Sequence, residues 1–355
     1  MGKKVSCIIP MLGSGGAERV MSYIANYLDE KGHEVIIYTL LNDEEAYSIN
    51  STVKHIHIDS THKNKVLKQF KRILGLRKKL KNDGSEVVIS FDRFIGIPAA
   101  LFLGKKVISS ERNDPYSNIK KGSFWAHFRN YLYARVNTMV FQTEYAMGYF
   151  PKKVQNHGII IPNPIPNNLP DRYEGERKKK IVAACRLHTQ KNLPMMFACV
   201  TKILKKYPDY EFYLYGDGPR RAELLLHLSN CKQDIQDRFH LCGFVTDLPE
   251  KIIDAAMYIS TSNFEGISNS MLESLALGIP TICTDCPAGG AAMAIQSGEN
   301  GILVPVGDRV KMYEAMEYII NNPDKAEEMS IKAVEIREKW STEKICSQWL
   351  EIVEN

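Results

Sequence analysis

The chain has 355 residues, 44% apolar and 25% charged, which is enough for two buried cores in a water-soluble globular protein. No run approaches 18 consecutive apolar residues, so a transmembrane helix is not expected. The net charge of +5 is uneven: residues 1–165 carry 24 Lys+Arg against 14 Asp+Glu, and residues 166–355 carry 22 against 27. The first half is therefore built to meet something anionic: a nucleic acid, an acidic membrane surface or a phosphorylated substrate.

Along the first half, strand and helix patterns alternate. The basic start runs into Val5–Pro10, an apolar run too short for a secretory signal, which reads as a first strand. Gly13-Ser14-Gly15-Gly16-Ala17-Glu18 follows and places flexible backbone amides beside the strand end. Glu18 stands where a dinucleotide fingerprint needs its third glycine, so a nicotinamide site is disfavoured. Ala17, Val20, Met21, Ile24, Tyr27 and Leu28 recur at helical spacing as far as Gly32. Val35–Leu41, Glu86–Ser90, Lys106–Ser110 and Thr138–Gln142 are further strands, a parallel-sheet signature. Ile161–Pro166 holds three prolines and marks a linker.

The pattern then restarts at Lys180–Cys185, with strands at Glu211–Tyr215, Phe239–Cys242, Met257–Thr261, Pro280–Thr284 and Gly301–Pro305. The expected fold class is α/β, two tandem Rossmann-like doubly wound domains facing a cleft. Their expected extents are 1–165 and 166–341, with a last helix at 342–353 packing back on the first. The eight cysteines are scattered, mostly in apolar segments, which suits a reducing cytoplasm. Cys283 and Cys286 form a C-x-x-C without a second pair, so no metal site is expected there.

The segment Asn263–Glu273 carries the most chemistry. It follows a buried strand and opens a helix, with Ser268 and Asn269 as good caps. The amides of Gly266, Ile267, Ser268, Asn269 and Ser270 then surround a helix start, where anions bind. Glu265 precedes this helix and Glu273 lies inside it, so two carboxylates flank a phosphate-binding element. A nucleotide sugar has the same order of parts: sugar hydroxyls, diphosphate, ribose hydroxyls. A capped helix with solvated glutamates is the plainer alternative. Arg186 and Lys191 weigh against it, since they follow the first strand of this half at a ligand-binding strand end and can neutralise a diphosphate. Tyr215–Pro219 and Gly243–Val245 supply tight turns at two more strand ends.

These segments resemble the family 4 retaining glycosyltransferases of the GT-B fold. The matches are Arg186, Lys191 and Asn192, Gly216–Pro219, Gly243–Val245, Glu265 to Glu273, and Asn300–Val304, in the family's order over most of the second half. The resemblance implies that Arg186 and Lys191 hold the donor diphosphate. It further implies that Glu265 faces the transferred sugar, Glu273 the ribose, and the Gly243–Val245 backbone the base, with Gly216 in a donor turn. It implies that Gly15 and Gly16 close over donor and acceptor, that the donor is a uridine diphosphate sugar, and that anomeric configuration is retained.

Ser109–Pro115 follows another strand. Many relatives carry a histidine in this loop that touches the sugar; here Arg112 stands at the matching place. That feature resembles a subgroup building bacterial surface polysaccharides and lipid-linked glycans. Glu111 and Arg112 are candidate acceptor contacts, or a structural salt bridge with each other. Asp92, after Ser90-Phe91, is an acceptor contact or a helix cap.

Lys63–Lys81 holds nine basic residues and no acidic one. At about 100° per residue, Lys65, Lys68, Arg72 and Lys79 fall on one face and Val66, Phe70, Ile73 and Leu80 on the other, so docking by the apolar face would expose a basic ridge. The ridge is a solvated face, a nucleic-acid contact or a site for anionic lipid and a lipid-linked phosphate. Without a nucleic-acid motif or interleaved aromatics, no nucleic acid is expected. Trp125, Phe128, Tyr131 and Tyr133 are interfacial anchors or ordinary core.

No D-x-D occurs in the chain, so no metal bridge to the diphosphate and no cofactor are expected. The sum is a transferase moving a hexose or N-acetylhexosamine from a nucleotide sugar to a glycan or lipid-linked acceptor, peripheral on the inner face of the plasma membrane. The rivals are a sugar-nucleotide epimerase or phosphorylase on the same architecture and a non-catalytic membrane-bound sugar-nucleotide sensor.

Overall fold

A computed structural model describes residues 2–13, 15–42, 45–60 and 63–355. Ser14 of the glycine-rich loop lies outside the described residues. Contacts divide the chain into two compact units, Met1–Pro164 with Thr342–Asn355, and Ile165–Ser341. Among the described residues no helix is long and apolar enough to cross a membrane.

The first unit is built on a parallel sheet of β1 (Lys4–Ile9), β2 (Glu34–Thr39), β3 (Lys54–His57), β4 (Val87–Ser90), β5 (Lys106–Glu111), β6 (Thr138–Phe141) and β7 (Gly158–Ile160), in the order β3-β2-β1-β4-β5-β6-β7. Val5, Cys7, Ile8, Val35, Ile37, Val88, Ile89 and Val140 are fully or almost fully buried. Strands covered on both faces read as continuous apolar runs, which is why these were legible. The edge strands β3 and β7 were not, because neither has a buried residue. A short edge strand owes its existence to the neighbour's hydrogen bonds more than to its own side chains.

The carboxyl-terminal helix Thr342–Glu354 packs in this unit against helix Gly16–Glu30. Its Trp349 is fully buried and lies 5.8 Å from the Phe91 ring. Burial of an aromatic of that size is worth about 3–5 kcal/mol against truncation to alanine. Tyr27 donates its hydroxyl to Glu343 at 2.8 Å. At the other end Lys3 donates Nζ to the Val353 and Glu354 carbonyls at 2.9 and 2.7 Å, which supplies a cation to the negative end of the helix.

The basic helix spans Lys65–Asn82, capped by Asn64, and docks by a different stripe from the expected one. Arg72 is 5% exposed and Leu76 and Leu80 are fully buried. These residues, at i, i+4 and i+8, form a narrow stripe. Arg72 is therefore inside rather than on a basic ridge, while Lys68 is half-buried and Lys79 exposed. Conversely Val66 and Phe70 are not docked: they are 77% and 55% exposed, beside Leu67 and Leu74 at 47% and 50%. The sequence periodicity was ambiguous because apolar residues occupy both sides. The longer, regular stripe that includes Leu76 found the groove, and the long aliphatic stem of Arg72 went with it. The outer face thus mixes four apolar side chains with exposed Lys71, Lys78 and Lys81.

The second unit has a parallel sheet of β8 (Lys178–Ala184), β9 (Glu211–Tyr215), β10 (Phe239–Gly243), β11 (Ala255–Ser260), β12 (Thr281–Asp285) and β13 (Ile302–Pro305), ordered β10-β9-β8-β11-β12-β13. Both sheets reverse strand order once, between β1 and β4 and between β8 and β11. A doubly wound sheet opens its ligand crevice outside the carboxyl ends of the strands at that reversal.

Candidate active site

In the second unit, Arg186, Lys191, Glu265 and the Gly266–Ser270 segment lie in the connections after β8 and β11, at the reversal, while Gly216 and Gly243 lie at the ends of β9 and β10. β8 ends at Ala184, and Cys185–His188 leads into a short 3-10 turn, Thr189–Lys191. Asn192 takes a left-handed conformation, φ +47°, and starts helix Leu193–Lys206. The loop is laced to its neighbours: the Leu187 amide donates to Asp217 O at 2.9 Å and the Cys185 amide to Tyr215 O at 3.0 Å. Arg186 lies exposed between these tethers, with no ion-pair or hydrogen-bond partner for its guanidinium among the described residues. It is a charge on a fixed backbone with its donors unspent.

Lys191 is different. Its side chain is 13% exposed and its Nζ is paired with Glu265 Oε2. Burial pulls the ammonium pKa down, the adjacent Glu265 carboxylate outweighs it, and the net shift is upward, so the lysine stays charged. Ser262 adds its hydroxyl to the same carboxylate oxygen at 3.3 Å. The two loops are also joined through backbone: Asn263 N donates to Gln190 O at 2.8 Å, Gln190 Nε2 to Phe264 O at 2.8 Å, and Thr261 Oγ1 to Lys191 O at 2.8 Å.

Ser268 caps helix Asn269–Ala276, accepting from the Met271 amide at 3.4 Å. The first amides of a helix have no partner within it and point at whatever lies ahead. Ser270 spends its hydroxyl inside the protein: it donates to Ala184 O at 2.8 Å and lies 2.9 Å from the Tyr258 hydroxyl. That clamp fixes the helix start on β8 and β11, so any ligand contact of Ser270 falls to its amide. Gly266 and Ile267 are buried, Asn269 is half-buried and Glu273 is 2% exposed.

Two glycine positions are dictated by space. Gly216 has φ +115°, and a Cβ there would stand 2.0 Å from Cys185 O. Its amide donates to Gly243 O at 2.7 Å, which ties the two turns together and leaves Phe244 52% exposed and Val245 half-buried beside them. Gly290 meets Gly266 O at 1.9 Å for the same hypothetical Cβ. The clamp of Ser270 on Tyr258 and the floor at Gly290 were missed from the sequence. The only signals were a tyrosine hydroxyl in an otherwise apolar strand and a Gly-Gly pair.

In the first unit, Gly15 is the extended N-cap of helix Gly16–Glu30, and the Glu18 carboxylate folds back against it. Asp92 takes the capping alternative: its Oδ1 accepts from the amides of Phe94, Ile95 and Gly96 at 3.0, 2.6 and 3.0 Å. The suggested salt bridge between Glu111 and Arg112 is absent among the described residues. Successive residues at a strand end point to opposite faces. Glu111, 2% exposed, instead binds Arg93 Nη1 and the Tyr133 hydroxyl, each at 3.0 Å. Arg112 faces the other way, 5.0 Å over the Phe91 ring, with Nη2 on Asn163 Oδ1. Burial pulls its pKa down to about 9, which leaves it a cation at neutral pH. Tyr133 is core, whereas Phe124, Trp125 and Tyr131 are exposed at 74%, 57% and 49%. Trp125 and Phe128 pack against Phe94.

The comparisons with known proteins agree with this architecture. Residues 14–168 match the family model described as Glycosyltransferase Family 4, and residues 178–322 the model described as Glycosyl transferases group 1. Campylobacter jejuni GalNAc-alpha-(1->4)-GalNAc-alpha-(1->3)-diNAcBac-PP-undecaprenol alpha-1,4-N-acetyl-D-galactosaminyltransferase is 25% identical over 99% of this chain and 98% of its own. N-acetylgalactosamine-N,N'-diacetylbacillosaminyl-diphospho-undecaprenol 4-alpha-N-acetylgalactosaminyltransferase of the same organism is 25% identical over 90% of this chain and 91% of its own. Among solved structures, Anabaena HepE in complex with UDP and glucose superposes with a TM-score of 0.81 at 15% identity, covering 99% of this chain and 100% of that one. With both halves matched in order and both sheets doubly wound, the chain belongs to the family 4 glycosyltransferases and has the GT-B fold.

Proposed function

We propose that this chain moves a hexose or N-acetylhexosamine from a UDP-sugar to a glycan or lipid-linked acceptor, with retention of configuration and without a metal at the diphosphate. The observation that carries the reading is the convergence of exposed Arg186, the Lys191–Glu265 pair and a Ser268-capped helix start at one strand-order reversal. When the bond between the sugar and the diphosphate breaks, negative charge grows on the departing oxygens. Lys191 and the amides after Ser268 are held in place before the donor arrives, so they stabilise that charge with little reorganisation, and Arg186 brings its charge from a tethered backbone. Glu265 holds Lys191 in place and offers acceptor oxygens to sugar hydroxyls. Retention puts the incoming hydroxyl on the face of the departing diphosphate, whose oxygens can take its proton; no base is needed opposite. The substrates named for the two Campylobacter relatives, both diphospho-undecaprenol-linked, support an acceptor of that chemical kind here. The reading is tested by screening labelled nucleotide sugars against a membrane lipid extract. Label from a UDP-sugar is expected in the lipid or glycan fraction. Epimerised nucleotide sugar without transfer, or donor binding without turnover, would contradict it.

The outer face of helix Lys65–Asn82 supports a peripheral membrane site. Apolar side chains at the level of the head groups with lysines around them suit an anionic interface, each lysine contributing roughly 1 kcal/mol. Because Arg72 is buried, reversing it would test folding rather than binding. The informative variants are F70S with L74S, and K71E with K78E. Both are expected to release the protein from acidic vesicles and to raise KM for a lipid phosphate acceptor, with KM for the donor and Tm little changed. Co-sedimentation and two-substrate kinetics check it; vesicle binding and acceptor KM equal to those of the unmodified protein in both variants return the helix to a solvated surface.

A further inference from the structure

Arg112 follows β5, at the carboxyl end of the first unit's sheet, and is half-buried. Its guanidinium is oriented with care yet not neutralised. Phe91 lies beneath it at 5.0 Å. Nη2 donates to Asn163 Oδ1, an oxygen that also receives Gln142 Nε2 at 2.7 Å, and Nη1 lies 3.5 Å from Ser110 Oγ. Nε is buried and has no acceptor. Among the described residues no carboxylate is within ion-pair distance: Glu111 is engaged by Arg93 and Tyr133 on the other face, and Asp114 accepts from the Tyr116 amide at 3.3 Å.

A guanidinium drawn out of water without a counter-ion destabilises a fold unless something returns the lost interaction. Neutral acceptors fix its direction but cancel no charge, and acceptors of this kind could be served by a neutral donor such as an amide. What a glutamine cannot supply is a charged planar fork, which matches phosphate oxygens in geometry as well as in sign. We infer that Arg112 holds a phosphoryl oxygen of a substrate on the amino-terminal unit. The inference rests on the transferase reading only for the source of that phosphate, the diphosphate of a lipid-linked acceptor.

The test uses the full chain, R112Q, and two probes: UDP, and inorganic pyrophosphate added over saturating UDP, each followed by calorimetric titration. Losing a charge-assisted fork is expected to weaken binding about tenfold or more. Pyrophosphate is expected to bind over UDP in the unmodified protein and to weaken in R112Q, with UDP affinity unchanged. No pyrophosphate binding over UDP, or a fall in UDP affinity with pyrophosphate binding unchanged, overturns the inference. If both affinities in R112Q stay within about twofold of the unmodified protein, with or without a drop in Tm, the residue is a structural clip and the inference is wrong. Should R112Q not fold, R112K keeps the charge and loses the fork; a fall of about threefold or more is expected, and no change overturns the inference. If the unmodified protein does not bind UDP at all, the transferase reading fails by itself. Arg112 is then judged on pyrophosphate alone, where no binding overturns it too.

Discussion

Lys191→Ala is expected to lower the rate of sugar transfer by about 10²–10³-fold, because it removes a positive charge fixed where the leaving diphosphate develops its own. It should also destabilise the protein. Glu265, 22% exposed, would lose its ammonium and keep only the Ser262 hydroxyl at 3.3 Å. Stranding a partly buried carboxylate costs about 1–3 kcal/mol. The two effects separate in the double variant K191A/E265Q. Neutralising the stranded acid should restore most of the stability and none of the rate. Urea unfolding and steady-state kinetics on both variants decide this; turnover by K191A near that of the unmodified enzyme would remove Lys191 from the machinery.

Arg186→Ala is the contrasting case. Arg186 is exposed and makes no side-chain hydrogen bond or ion pair among the described residues, so its loss should leave Tm within about a degree, as for surface positions generally. Its backbone is tethered on both sides, through Cys185 N to Tyr215 O and Leu187 N to Asp217 O, so its removal should not loosen the loop. If its function is to meet the diphosphate, the rate should fall by on the order of 10²-fold with weaker UDP affinity. An unfolding transition that shifts by several degrees, or a rate within threefold of the original, would show that Arg186 serves the fold or nothing at all.

The sequence exposed the strands covered on both faces, because Val5–Ile9, Val35–Thr39 and their counterparts in the second half are continuous apolar runs bounded by turn residues. It exposed Arg186, Lys191 and Glu265 as residues at strand ends, since each sits just after such a run. It did not expose that Lys191 and Glu265, 74 positions apart, pair with each other, because only the adjacency of β8 and β11 brings them together. The same limit applies in the first unit. Glu111 beside Arg112 looks like a pair in one dimension, but strand alternation turns the two apart and gives Glu111 to Arg93. The basic helix failed for a different reason: with apolar residues around most of its circumference, periodicity alone could not choose the docked stripe.

The most direct test of the central claim, that side-chain cations rather than a metal carry the leaving diphosphate, is transfer from the UDP-sugar selected by the donor screen, measured in excess chelator. Unchanged incorporation of label into the lipid or glycan fraction, reduced by about 10²-fold or more in R186A and K191A, is the predicted result. Activity abolished by the chelator and restored by magnesium or manganese would contradict it.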